Sequence, residues 1–243
     1  MKTVTIIIPS YNEELFILEL IKKIKEVDLL SLHFEKEIIV IDDGSTDGTK
    51  DKLYNIEGVK YFYQKNKGKG AAVQNGISRA NGDFILIQDA DLEYAPNDYF
   101  PMLEVISKSN FDENISVYGS RTLFVFKRIK LMRIFPIKKQ SISSFAMNLF
   151  LTILYCLIYG KLITDSLTGY KIYPKSFFRD EKIESTGFEA DHEITAKLIK
   201  RKFKIIEVPI TYTPRSKAEG KKINFFDGIK AIKTIIKFRF KID

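Results

Sequence analysis

Apolar residues fall along the first hundred positions in short runs, each closed by a polar cluster. Residues 4–8 are β-branched and end at Pro9, and residues 37–41 end at Asp42-Asp43-Gly44-Ser45. Residues 59–63 form a third run, and residues 83–87 end at Asp89-Ala90-Asp91. Runs of this length and composition predict strands. Between them, residues 13–27 place Leu15, Leu18, Ile21 and Ile24 at helical spacing, residues 47–54 open with acidic and hydroxyl caps, and residues 70–80 read as helix. Strands alternating with helices predict an α/β fold built on a mostly parallel, Rossmann-like, doubly wound sheet with flanking helices. Such sheets hold ligands beyond the carboxyl ends of their strands, and the polar clusters of three separate strands fall there.

The stretch 140–160 carries no charge. Its length suits a membrane span, but three serines, Asn148 and Thr152 dilute it. A single crossing would also separate Asp89 and Asp91 from residues 187–222. It therefore reads as an interfacial helical segment, with a buried core helix as the alternative. The formal charge of +8 comes from 39 Lys and Arg against 31 Asp and Glu, with much of the excess late in the chain. That balance suits anionic lipid or phosphorylated substrates. A nucleic-acid binder would leave the acidic strand ends without a purpose, so no nucleic-acid partner is expected. The single cysteine, Cys156, forms no internal disulfide, and the N-terminus does not read as a signal peptide.

Three clusters carry candidate chemistry. Asp89 and Asp91 flank Ala90 at a strand end, with Glu93 two residues on. These are hard oxygen ligands suited to Mg²⁺ or Mn²⁺, ions that also bind substrate phosphates. Asp42 stands at another strand end, placed to accept hydrogen bonds from a nucleobase or ribose, while Ser45 or Asp47 suits a helix N-cap. Residues 66–71, Asn-Lys-Gly-Lys-Gly-Ala, form a glycine-lysine loop opening a helix, whose amides favour phosphate. The loop lacks the Gly-Lys-Ser/Thr ending of a P-loop, and no Gly-x-Gly-x-x-Gly follows the first strand.

In residues 4–14 (VTIIIPSYNEE), 41–49 (IDDGSTDGT), 66–71 and 88–96 (QDADLEYAP), the chain resembles the family 2 inverting glycosyltransferases of the GT-A fold. The resemblance lies nearest the dolichyl-phosphate mannose synthase-like and bacterial polyprenyl-phosphate branch. It continues through residues 119–121, 164–171, 187–189, 207–210 and 212–223, in order over nearly the whole chain. It implies that Pro9, Tyr11, Glu13 and Asp42 contact the nucleoside of a GDP- or UDP-sugar, with Lys69 near that pocket. Asp89 and Asp91 would hold the donor diphosphate through the metal, with Glu93 as a further ligand. Arg121 and Arg215 would face the phosphates of acceptor and donor, and Lys221 and Lys222 would belong to a basic loop closing over the diphosphate. Asp191 and Glu193 occupy the place of a general base, which a phosphate acceptor, already an anion, does not require. His192 reads as an ordinary packed or surface residue.

The implied organisation is a catalytic domain over 1–223 and a basic, aromatic C-terminal helix over 224–243. The implied function is inverting transfer to a polyprenyl phosphate by a peripheral enzyme on the cytoplasmic face of the membrane, with a partner protein as a possible anchor. A sugar or glycolipid acceptor is the alternative, and a nucleotidyltransferase a remote one.

Overall fold

The computed structural model describes residues 1–130, 142–215 and 225–241. Its frame is a seven-stranded sheet made of β1 (Lys2–Ser10), β2 (Phe34–Asp42), β3 (Lys60–Tyr63), β4 (Phe84–Ile87), β5 (Ile115–Ser120), β6 (Lys171–Pro174) and β7 (Lys204–Pro209), in the order β3-β2-β1-β4-β6-β5-β7. β1 pairs in parallel with β2 and β4, and β2 with β3, as the alternating pattern predicts. β6 departs from it: it runs antiparallel to both β4 and β5, while β5 and β7 are parallel. The inner strands are apolar on both faces, with Ile6, Ile7, Ile8, Ile39, Val40 and Ile41 fully buried, because helices cover the sheet on each side.

One face is covered by α1 (Ile17–Glu26) and α4 (Tyr99–Lys108), and the other by α3 (Lys69–Arg79) and α8 (Ala190–Lys200). α1 turns Ile17, Leu20, Ile21 and Ile24 inward at helical spacing. Its open C-terminal carbonyls are satisfied by Lys36, whose ammonium reaches Ile24, Lys25 and Val27. The expected helix near 47–54 is α2 (Thr49–Leu53), entered through Asp47, whose carboxylate accepts from the Thr49 N–H and hydroxyl and from the Glu14 N–H.

α6 (Ile142–Tyr159) is the uncharged segment, and α9 (Phe225–Phe240) the basic one. α9 lies on α8 and α6, where Leu151, Tyr155, Ala231 and Ile235 form a third core cluster. Within the 140–160 segment, α6 is a core helix along part of its surface, as the buried-helix alternative has it. One side of α6 is core, while Leu149, Phe150, Ile153 and Leu157 stand exposed on the other. Among the described residues, no helix is long and apolar enough to cross a membrane. The remaining helices, α5 (Arg121–Lys130) and α7 (Lys175–Asp180), follow β5 and β6 directly.

Glu37 ties the amino ends of the strands together. Its carboxylate accepts from Thr5, Lys60 and both the backbone and side-chain nitrogens of Asn81. Burial opposes its charge, but these donors outweigh that and bring its pKa down to about 2. The folded value lies below the ordinary 4.5, so this stabilisation is complete above about pH 4.5 and drains away as the pH falls toward 2. Glu37→Gln is expected to remove that slope, so that thermal midpoints of variant and wild type converge in acid and separate near neutrality.

Candidate active site

The site forms where β1, β2 and β4 end together. Ser10 pairs with Asp42, and Gln88 follows β4 by donating its N–H to Ile7. Asp42 is fully buried and accepts from the Ser45 N–H at 2.8 Å and the Tyr61 hydroxyl at 3.0 Å. Pro9 lies in β1, and Tyr11 just beyond it is 37% exposed.

Asp43 does work that the sequence did not assign to it. It accepts from the Lys67 and Gly68 backbone N–H groups at 2.9 and 2.8 Å and from the Gln64 amide at 2.7 Å. The expectation that the glycine-lysine loop cradles phosphate is thereby corrected: these two amides are held by a carboxylate, and the Ala71 N–H is taken by the Thr186 carbonyl. The loop's contribution is to aim Lys69. Gly68 makes this possible, with φ +97° and its α-carbon so near the Thr186 carbonyl that a Cβ would come within 2.7 Å.

Lys69 projects from the start of α3 and places its ammonium 2.6 Å from Asp89 and 3.8 Å from Asp191. Burial works against that charge, but the two carboxylates outweigh it and hold the pKa above the ordinary lysine range. On the other side stands Arg215, its guanidinium 3.1 Å from Glu13 and 3.0 Å from Asp91 and lying over Phe16. Glu93 pins the segment carrying it, accepting the Arg215 backbone N–H and the Tyr212 hydroxyl, both at 2.7 Å. Burial, and then the neighbouring charges of Asp89 and Glu93, push the Asp91 pKa up to about 7, with Arg215 pulling the other way.

A crowded carboxylate with its pKa raised in this way is one that a cation would stabilise. Among the described residues, no three carboxylate, imidazole or thiolate side chains converge as a metal site. Asp89 and Asp91 fit a divalent ion all the same. Mg²⁺ commonly takes only one or two protein carboxylates and completes its shell with water and substrate phosphate.

Residues 5–163 match the profile of Glycosyl transferase family 2. The chain belongs to that family. Among its relatives, the UDP-N-acetylglucosamine–dolichyl-phosphate N-acetylglucosaminyltransferase of Methanococcus voltae is 30% identical over 90% of each chain. The dolichol-phosphate mannosyltransferase of Pyrococcus furiosus is 31% identical over 99% of this chain and 65% of its own length. A crystal structure of glucosyl-3-phosphoglycerate synthase from Mycobacterium tuberculosis, in complex with Mn²⁺, uridine diphosphate and phosphoglyceric acid, covers 100% of this chain and 80% of that one. The TM-score is 0.70 at 17% identity. The expected GT-A architecture is the one found, and this family 2 chain is a glycosyltransferase.

Several expected site residues sit elsewhere than the resemblance implied. Glu193 is buried away from Asp89 and accepts the Glu184 and Ser185 N–H groups at 2.9 and 2.8 Å, with Lys197 2.9 Å away. As a general base it is corrected to an anchor for the loop before α8. Arg121 spends its guanidinium on Asp165, with two bonds of 2.7 Å, and lies over the Tyr212 ring. Asp165 is held in place by the 164–165 turn, whose amides donate to Glu207. His192 is packed as expected, its Nδ1 3.1 Å from the Tyr155 hydroxyl. Burial first, and Lys171 second, take its pKa down to about 3. Lys221 and Lys222 lie outside the described residues.

Gly169 and Lys171 lie in the 164–171 stretch, for which the resemblance carries no residue role beyond the match itself. A Cβ on Gly169 would come 2.4 Å from the Asp89 carboxylate, and the Gly169 N–H donates to Tyr94. Gly169→Ala is expected to displace Asp89 and lower kcat/KM by about a hundredfold. A circular-dichroism melt should place the midpoint near that of wild type, which separates this effect from unfolding.

Proposed function

We propose that this family 2 enzyme transfers a sugar from a UDP- or GDP-sugar to a polyprenyl phosphate in a single displacement that inverts the anomeric carbon. The observation that carries the reading is the convergence of Asp89 and Asp91 at the end of β4 with Arg215 opposite and Lys69 beneath. Asp42 and Tyr11 supply a polar floor and an exposed ring for the nucleoside, with Pro9 and Glu13 alongside. Arg215 is placed to move from carboxylate to diphosphate and to stabilise the charge that collects on the leaving group. Asp91 and Asp89 would hold a Mg²⁺ or Mn²⁺ ion, which would neutralise part of that same charge. The structural neighbour glucosyl-3-phosphoglycerate synthase was crystallised with Mn²⁺ and uridine diphosphate, which supports such a cofactor here.

The acceptor phosphate oxygen attacks the anomeric carbon from the side opposite the nucleotide. One carbon–oxygen bond forms as the bond to the diphosphate breaks. The attacking oxygen is already anionic, so no proton need be removed. The Methanococcus voltae and Pyrococcus furiosus relatives are named for dolichyl and dolichol phosphate acceptors, which supports a polyprenyl phosphate for this chain.

Such an acceptor stays in a bilayer, so the enzyme must reach a membrane surface, in our reading the cytoplasmic face. The exposed apolar side of α6 and the exposed Phe226, Ile236 and Phe240 of α9 suit that surface, with Lys230, Lys233 and Arg239 nearby for anionic headgroups. Wild type is expected to float with phosphatidylglycerol vesicles and to remain at the bottom of the gradient when Phe150 and Leu157 are both changed to Asp. Wild type remaining at the bottom of the gradient alongside the variant, apart from the vesicles, would contradict membrane docking.

A second reading has a sugar or glycolipid acceptor. Asp191, close to Lys69 and 22% exposed, is the carboxylate that would serve as its base. Mass spectrometry after incubation with Mn²⁺, a short polyprenyl phosphate and a panel of nucleotide sugars separates the two. The first reading expects a glycosyl polyprenyl phosphate from one donor. Nucleotide release without a lipid product, together with glycosylation of an added sugar, would favour the second.

A further inference from the structure

β6 is four residues long, and its first residue is a lysine whose side chain is wholly buried. Its register sets Lys171 beside Ile87, two residues before Asp89, and beside Tyr118 of β5. The ammonium makes no hydrogen bond among the described residues. It lies 3.9 Å from Asp191 Oδ1 and 5.0 Å from the centre of the Tyr118 ring. An ammonium stripped of water and given no hydrogen bond is costly, and an apolar side chain of similar length would fill the same space more favourably. Packing therefore does not account for the charge, and burial draws its pKa down.

The charge has one close carboxylate. Asp191 lies in the first turn of α8, its Oδ1 toward Lys171 and its Oδ2 3.8 Å from Lys69, which in turn bonds Asp89. Ammonium, carboxylate, ammonium and carboxylate thus alternate from the sheet interior to the floor of the active site. Burial opposes the charge on Asp191; Lys171 contributes most to offsetting it and Lys69 next, and the carboxyl rests below its ordinary range.

We propose that Lys171 is the positioning residue for Asp191: its buried ammonium steadies one carboxylate oxygen while Lys69 steadies the other, fixing Asp191 as an ionised group beside Asp89 for glycosyl transfer. Lys171 itself does not reach substrate and acts through Asp191. The assignment rests on glycosyl transfer at this site: for a hydroxyl acceptor the fixed Asp191 would be the base, and for a phosphate acceptor it would hold Lys69 against Asp89.

The test compares full-length wild type, Lys171→Met, Asp191→Asn and the double variant. It reads kcat for nucleotide release, the calorimetric Kd for uridine or guanosine diphosphate with Mn²⁺, and the thermal midpoint. Each single change is expected to lower kcat on the order of tenfold or more, the scale set by a misplaced reacting group. The double variant should fall no further than the worse single, because both changes act on one carboxylate. The diphosphate Kd should hold, and the Lys171→Met midpoint should stay close to that of wild type, because Lys69 remains 3.8 Å from Asp191 to offset its charge. Wild-type kcat in Lys171→Met would overturn the proposal, as would losses that multiply in the double variant. A Lys171→Met protein that melts early or fails to fold would overturn it too, since the ammonium would then be serving the fold.

Discussion

Asp91→Asn should all but silence transfer while leaving the protein folded. The change keeps the shape of the side chain and removes the charge that would meet a divalent ion and the leaving diphosphate. Charge stabilisation by a bound metal is worth several kcal/mol, so kcat/KM is expected to fall by about a hundredfold or more. Stability should move the other way. Asp91 is buried among Asp89 and Glu93, which, after burial itself, push its pKa up to about 7. A folded value above the ordinary carboxylate range means that ionisation near neutral pH costs the fold free energy. The asparagine variant should therefore melt no lower than wild type above pH 7, with Arg215 retaining Glu13 as its partner at 3.1 Å. A kinetic assay over a range of donor concentrations paired with a thermal melt checks both halves. Near-normal turnover would remove Asp91 from the mechanism, and a large drop in midpoint would recast it as a structural residue.

Asp165→Ala should have the largest effect on stability. Asp165 is wholly buried and carries a bidentate bond from Arg121, with the Arg121 backbone N–H as a third donor at 2.9 Å. Removing it strands a guanidinium in the interior beneath Tyr212, and breaking a buried pair on one side costs about 3–5 kcal/mol. The same change loosens Tyr212 and thereby the segment that presents Arg215, so residual activity in the folded fraction should fall as well. Chemical denaturation of wild type, Asp165→Ala and the double variant Asp165→Ala/Arg121→Met measures the effect. Stability should partly return in the double variant, because no unpaired charge remains. Without that recovery, the loss could not be assigned to a stranded Arg121.

The first half of the chain was legible because its signals are local. β1, β2 and β4 are apolar runs rich in β-branched residues, closed by Pro9, Asp42 and Gln88-Asp89, and the parallel pairing brings Asp42, Asp89 and Asp91 to one edge. The second half was harder to read because its elements are defined by what they meet. β6 is only Lys-Ile-Tyr-Pro, too short for periodicity and opening on a charged residue that simple patterning places outside. Its antiparallel insertion between β4 and β5 is a tertiary fact. Glu193 and Asp191, two residues apart on one helix, could not be separated by spacing. The fold turns Glu193 to the Glu184–Ser185 amides and Asp191 to Lys69 and Lys171. Likewise, Asp42 and Asp43 are adjacent on the chain, yet Asp43 holds the loop that aims Lys69, while Asp42 bonds Ser45 and Tyr61 at the end of β2. In that loop Gly68 permits a close backbone approach, and its near neighbour is the Thr186 carbonyl. An isolated charge within an apolar strand, such as Lys171, is the signal that would have drawn attention to the floor of the site.

In-line displacement at the Asp89–Asp91 edge dictates the stereochemistry of the product. Wild type would be incubated with Mn²⁺, a short polyprenyl phosphate and an α-linked nucleotide sugar labelled with ¹³C at the anomeric carbon, and the glycolipid read by NMR. A β-linked glycosyl phosphate is the predicted result, and an α-linked product would contradict the account.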